Sequence, residues 1–393
     1  MLALDGGGIR GIITLEILIE IERMLGQATG EGEHFRLCNF FDYIGGTSTG
    51  AIIAAGLARG MSAREILDFY IGMGPAMFNP AFLIDRIKHL YRAEPLEHEL
   101  KHRFGEDTNL SPDHLRCLLL VVTRNVSTDS PWPISSNPLA KYNDPARPDC
   151  NMKIPLWQLV RASTAAPVYF RPERLQWDPK DPRKTFVFVD GGITPYNNPA
   201  FLLFRMATQA PYRLNWKTGE RDLLLISVGT GSAPQLDNIG LPGQNQLSTL
   251  VERWLHQLRA MYAALRGQNH LSTLVRLPTA LMYGALIDQD INARMIGRCV
   301  FGAPIDSELG DLIPRDAAGQ PVPLSHDLGR AFLYARYNAD MSPKGLNALG
   351  LTDIDPQRVG KLDATNYIPA LQQIGRKVAE QVRLEHFGSF VAG

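Results

Sequence analysis

The chain has 393 residues, 45% of them apolar, and its 40 lysines and arginines are balanced by 40 aspartates and glutamates. That length holds one large α/β domain or two domains, and the apolar share excludes a disordered chain. Zero net charge argues against a dedicated binder of nucleic-acid polymers, which is usually basic. Cys38, Cys117, Cys150 and Cys299 are scattered without a C-x-x-C pattern, which reads as reduced structural thiols. No apolar run approaches the length of about 18 residues that spans a bilayer. The chain opens on Leu2-Ala3-Leu4-Asp5 with no signal-peptide pattern, so a cytoplasmic protein is expected.

Residues 1–4 predict a short strand that runs into Asp5-Gly6-Gly7-Gly8-Ile9-Arg10-Gly11. Residues 9–25 are apolar nearly all round, which predicts a helix buried on most faces. The three glycines between strand and helix offer several free N–H groups, suited to a phosphate or to an oxyanion. A Walker-type phosphate loop is excluded, because no Lys-[Ser/Thr] follows. The spacing of Gly6, Gly8 and Gly11 does satisfy G-x-G-x-x-G, a weak match where glycines run together. Arg10 would add positive charge beside such a loop, or serve in a surface salt bridge.

Residues 41–45 predict a second strand and residues 51–58 a buried helix. Between them lies Gly46-Thr47-Ser48-Thr49-Gly50, a G-x-S-x-G between strand and helix, which is the setting of a nucleophile elbow. Ser48 would then project at a helix N-terminus, where N–H groups favour negative charge. Residues 63–72 predict another helix.

The stretch 73–83, rich in Met, Phe and Pro, leads into a helix with Leu83, Ile87, Leu90 and Tyr91 on one face and basic residues elsewhere. Such a segment suits packing on the core, or a lid making peripheral contact with anionic lipid.

Leucines and valines over 115–122 predict a central strand. The polar, proline-rich stretch 127–149, with Trp132, reads as a long surface loop near the site. Residues 186–189 form another strand that ends at Asp190-Gly191-Gly192. An aspartate there can start a turn, or reach Ser48 Oγ and take its proton. Residues 223–228 predict a further strand before Gly229-Thr230-Gly231. Apolar strands alternating with helices imply a three-layer α/β/α fold with a mostly parallel central sheet. Ligands bind such sheets beyond the C-terminal strand ends, where Asp5, Ser48 and Asp190 could converge.

From residue 246 the pattern is mainly helical. Residues 331–337 look like an added strand. Tyr367, Leu371, Ile374, Val378 and Val382 recur at helical spacing. The expected organisation is a core over 1–240 with a helical extension over 241–393 packed on it, or a single domain.

Taken in order, D-G-G-G-x-R-G, G-T-S-T-G and D-G-G resemble the patatin-like phospholipases. Residues 161–170, Asn197-Asn198-Pro199 and 227–231 extend the likeness over roughly residues 1–235. The resemblance implies a lipid acyl hydrolase with a Ser–Asp dyad, no cofactor and no metal. Ser48 would be the nucleophile and Asp190 the general base. Gly6, Gly7 and Gly8 would form the oxyanion hole, with Arg10 beside it. Elbow geometry adds the N–H of Thr49. None of the nine histidines sits in a motif or after a late strand, which favours the dyad over a triad. The substrate expected is a phospholipid or another acyl-ester lipid. An acyltransferase on the same dyad and a non-catalytic lipid- or nucleotide-binding module are the alternatives. Activation by a cyclic nucleotide is a further variant.

Overall fold

The computed structural model describes residues 1–77, 93–167, 169–178, 180–232, 269–306, 308–323 and 329–391. Of the stretch 73–83 and the helix expected after it, residues 78–92 lie outside the described residues, as do 246–268 at the start of the mainly helical region.

The strands are β1 (Leu2–Leu4), β2 (Tyr43–Thr47), β3 (Leu118–Asn125), β4 (Ser130–Ser135), β5 (Glu173–Gln176), β6 (Thr185–Asp190), β7 (Leu224–Val228), β8 (Arg298–Phe301) and β9 (Leu333–Tyr337). They form one sheet in the order β5-β6-β3-β2-β1-β7-β9-β8, with β4 on β3. The pairs β1–β2, β2–β3, β1–β7, β7–β9 and β8–β9 are parallel. The pairs β3–β4, β3–β6 and β5–β6 are antiparallel.

Period-two alternation explains why the sheet carries helices on both faces. Leu2, Leu4, Leu119, Val121, Ile226 and Leu333 enter one core, while Ala3, Leu120, Val122, Leu225 and Tyr334 enter the other. The first core is closed by α1 (Gly11–Thr29), α2 (Leu37–Phe40), α3 (Thr49–Ala58), α4 (Ala63–Met77), α5 (Glu94–Phe104) and α6 (Leu156–Ser163). The second is closed by α7 (Ala200–Thr208) and α8 (Asn269–Ile296). After β9 come α9 (Pro343–Ala348), α10 (Pro356–Val359) and α11 (Ile368–Ala379). The layered α/β/α expectation holds, with its C-terminal helical region.

α1 is buried along most of its length, as its all-round apolar sequence requires, and ends at Gly30 in the left-handed conformation (φ 77°). Its one buried carboxylate, Glu16, is met by Arg376 of α11 at 3.3 Å and by Gln372 at 2.8 Å. Leu371, Ile374 and Val378 of α11 are buried, matching the periodicity read from the sequence.

Two local readings change. The stretch 127–149 contains β4, which is paired to β3 with Trp132 opposite Thr123. Its remainder, from Ser136, lies beside Leu119 at the N-terminal end of the parallel strands, away from Ser48. Trp132 packs edge-on against Trp177 in an aromatic cluster with Phe186 and Phe188, which overrides the proline signal. β6 also runs antiparallel. It enters beyond the end of β3 and descends until Asp190 lies opposite Thr123, one residue past Val122, the partner of Thr47.

Candidate active site

Ser48 sits between β2 and α3 at φ 54°, ψ −121°, a conformation that costs a non-glycine residue roughly 1–3 kcal/mol. Gly46 and Gly50 do not share this strain; they are required by close approach. A Cβ on Gly46 would lie 2.0 Å from the Gly50 carbonyl oxygen, and one on Gly50 2.3 Å from that of Leu4. Both obstacles are backbone, so neither can swing aside. Gly46→Ala is expected to destabilise by about 1–3 kcal/mol or more and to displace Ser48. A Tm and an esterase rate equal to wild type would contradict this.

The Ser48 hydroxyl donates to Asp190 Oδ2 at 2.6 Å. The other carboxylate oxygen accepts the N–H of Gly192 at 2.7 Å. The Asp190 N–H is fixed on the Ala165 carbonyl at 2.9 Å. Ser48 and Asp190 are 6% and 4% exposed. Burial pushes the Asp190 carboxyl up to about 6, against the downward pull of the Ser48 hydroxyl, the Gly192 amide and the Arg161 charge. The group is thus ionised at neutral pH yet far more basic than a free aspartate.

The glycine loop lies against this pair. A Cβ on Gly6 would come within 3.2 Å of Ser48 Cβ and 2.3 Å of Asn197 Oδ1. The N–H of Gly6 is taken by the Asn197 carbonyl at 3.1 Å, and the Gly6 carbonyl by the Thr230 hydroxyl at 3.0 Å. The N–H groups of Gly7 and Gly8 find no acceptor among the described residues. Gly8 adopts φ 61°, and a Cβ there would meet the Leu362 carbonyl at 2.4 Å. Thr49, first residue of α3, has no acceptor for its N–H within its own helix.

Arg10 is buried rather than on the surface. Its Nε donates to the Gly7 carbonyl and its Nη1 to that of Gly231, each at 3.2 Å. Its side chain therefore braces the loop from behind.

Sequence reasoning missed the support beneath the loop. Asp5 is fully buried and gripped by Arg336 of β9, with Nη1–Oδ1 at 2.9 Å and Nη2–Oδ2 at 2.5 Å. Arg336 also donates to Ser227 Oγ at 2.6 Å. Asp290 of α8 lies 4.0 Å from Arg336 and is itself held by Arg294 at 2.8 Å and by the Tyr334 hydroxyl at 2.9 Å. The one available signal was a charged residue in the middle of the apolar strand pattern 331–337.

Ser48, Asp190, Thr49 and Gly8 open onto a cleft of about 650 Å³, part of it continuous with solvent. Ile52, Tyr70, Leu96, Phe170, Met282 and Leu362 make most of the remaining wall apolar. Tyr70 pairs through its hydroxyl with Thr49 Oγ1. No histidine lines the cleft among the described residues. His386 instead bonds the Tyr337 hydroxyl at 2.8 Å and stacks on Phe301, and burial holds its imidazole down to about 4.

A serine hydroxyl on a buried carboxylate, beside unpaired amides at the mouth of an apolar cleft, is an arrangement suited to acyl transfer. Residues 2–204 match the model of the family described as patatin-like phospholipase. The chain belongs to this family. It is 32% identical over 265 residues to a cGAMP-activated phospholipase of Vibrio cholerae, covering 62% of this chain and 68% of that protein. It is 30% identical over 255 residues to Patatin-17 of Solanum cardiophyllum, covering 60% and 61%. An intracellular phospholipase A2 of Caenorhabditis elegans is 29% identical over 271 residues. That match takes in 67% of this chain but only 22% of the nematode protein. Among the described residues, no helix is long and apolar enough to cross a membrane.

Proposed function

We propose that this chain hydrolyses the acyl esters of phospholipids or related lipids through a Ser48 acyl-enzyme. The observation that carries the reading is the 2.6 Å hydrogen bond from Ser48 Oγ to Asp190 at the base of an apolar cleft. Asp190 takes the hydroxyl proton as Ser48 attacks the ester carbonyl. The oxyanion is received by the N–H groups of Gly7, Gly8 and Thr49, while Gly6 and Arg10 hold the loop in shape. The alcohol or lysolipid leaves with the proton. Water, deprotonated by Asp190, then releases the fatty acid. No step requires a metal, because the carboxylate itself is the base. Substrate would be drawn from a membrane surface by peripheral contact.

A fluorophosphonate probe is expected to label wild type at Ser48 and to leave Ser48→Ala unlabelled, with release of free fatty acid lost in the same variant. Labelling elsewhere, or fatty-acid release by Ser48→Ala, would refute the assignment. The rate should survive EDTA; its collapse on chelation and return with added metal would count against the metal-free dyad. Product analysis with an alcohol acceptor present separates hydrolysis from transacylation.

The 32% identity to a cGAMP-activated phospholipase supports a second reading, in which this activity is switched by a cyclic nucleotide. Titrating cGAMP into the esterase assay tests it, and an unchanged rate would dismiss that nucleotide as an activator.

A further inference from the structure

One corner of the chain holds both members of the dyad by their backbones. Ser163 is the last residue of α6 and is fully buried. Its Oγ accepts the N–H of Ser48 at 2.9 Å and donates to the Val122 carbonyl at 2.6 Å. Two residues on, the Ala165 carbonyl accepts the N–H of Asp190. Val122 is the register partner of Thr47, the residue before the nucleophile. Gly191, the residue after the base, packs so closely on the Val122 carbonyl that a Cβ would lie 2.2 Å from it. The end of β2, the turn after β6 and the end of α6 thus meet at one carbonyl oxygen.

The N–H of Ser48 has a particular need. At φ 54° it has left the β2 ladder, and as the residue before α3 it has no partner in that helix. A strained conformation persists only where its surroundings over-determine it. A partner here must accept from Ser48 and donate to Val122 through a single small side chain, which a serine hydroxyl does and an alanine cannot.

We infer that Ser163 is a positioning residue for the proposed acyl transfer, fixing the Ser48 backbone so that its hydroxyl stays on Asp190. The inference rests on the Ser48–Asp190 reading above. A displacement of the nucleophile by a fraction of an ångström to an ångström typically costs up to about 10²-fold in rate. Apolar binding in the cleft does not depend on it.

The test uses the full-length protein with a soluble acyl ester, following kcat, KM, the second-order rate of fluorophosphonate labelling, and Tm. Ser163→Ala is expected to lower kcat and the labelling rate together by about 10- to 100-fold, with KM within about twofold. Ser163→Thr, which returns the hydroxyl, is expected to recover most of the loss. A purely structural role would lower Tm and active fraction without this split. Wild-type kcat in Ser163→Ala overturns the inference, as does a Ser163→Thr no better than alanine. Where Ser163→Ala yields no folded protein, Ser163→Cys keeps the volume with a poorer hydrogen-bonding atom and is judged by the same criteria. Ser48→Ala run alongside separates the two claims. If it is inactive while Ser163→Ala is unimpaired, only the positioning inference fails. If it is active, the dyad itself fails.

Discussion

Asp190→Asn is expected to lower kcat/KM for acyl esters by about 10²–10⁴-fold, the range typical of losing a positioned general base, in a protein expected to be at least as stable as wild type at alkaline pH. The two effects share one cause. Burial raises the Asp190 carboxyl to about 6, above its value of about 3.9 in an unfolded chain. A raised carboxylate favours the protonated form in the folded state. Its ionisation therefore penalises folding above pH 6, and the penalty vanishes below about pH 4. A rise from about 3.9 to about 6 corresponds to about 3 kcal/mol. Asparagine is neutral throughout and escapes that penalty, but it has one carbonyl oxygen where aspartate offers two, for Ser48 and for Gly192. The lost acceptor offsets about 1 kcal/mol. The Tm of the variant should therefore match or exceed wild type at pH 8, and the advantage should shrink as pH falls to 5. In wild type the same titration would remove the proposed base, so kcat/KM should fall tenfold per pH unit below about pH 6. Full activity in the variant, or a wild-type profile flat down to pH 4, would sink the assignment of Asp190 as base.

Arg336→Met is the second large effect. It leaves Asp5 fully buried with its bidentate partner gone, immediately before the glycine loop. Removing one member of a buried pair costs about 3–5 kcal/mol, a large part of the 5–15 kcal/mol that holds a typical domain together. For a chain of this length that is a Tm loss on the order of 5 °C, or failure to accumulate as folded protein. The sign of the pair can be isolated. Asp5→Asn combined with Arg336→Met removes both charges and should be more stable than Arg336→Met alone, because no uncompensated carboxylate remains. Thermal unfolding of the two singles and the double supplies the cycle. A single Arg336→Met with wild-type Tm would show that the pair does not secure the loop.

The elbow was legible because its requirements are local. Gly46, Ser48 and Gly50 lie within five residues, and a Cβ on Gly46 would strike the turn itself at Gly50, although the obstacle to one on Gly50 is the Leu4 carbonyl of β1. β1, β3, β7 and β9 were legible because each is apolar on both faces, the signature of a strand covered on both sides. Strand direction was not legible. Nothing in residues 185–190 distinguishes a parallel from an antiparallel β6, yet its reversed course brings Asp190 down to the level of Ser48. β4 was hidden by Pro131 and Pro133, which are tolerated where the neighbouring pairing and the Trp132 cluster compensate. The fate of the Gly6 N–H was equally invisible, since its acceptor is Asn197, nearly two hundred residues away.

The sequence by itself determined the alternation of strands and helices, the turn at Ser48 and the residues proposed for acyl transfer, because propensity, periodicity and steric exclusion act over a few residues. Tertiary structure decided which of those residues meet. It chose the N–H groups of the glycine loop that stay unpaired, turned Arg10 inward as a brace, and set Arg336 under Asp5 and Ser163 behind Ser48. Those choices depend on contacts between segments 115 to 331 residues apart. Only burial of the assembled cleft gives the Asp190 carboxyl a basicity that an aspartate in the unfolded chain does not have.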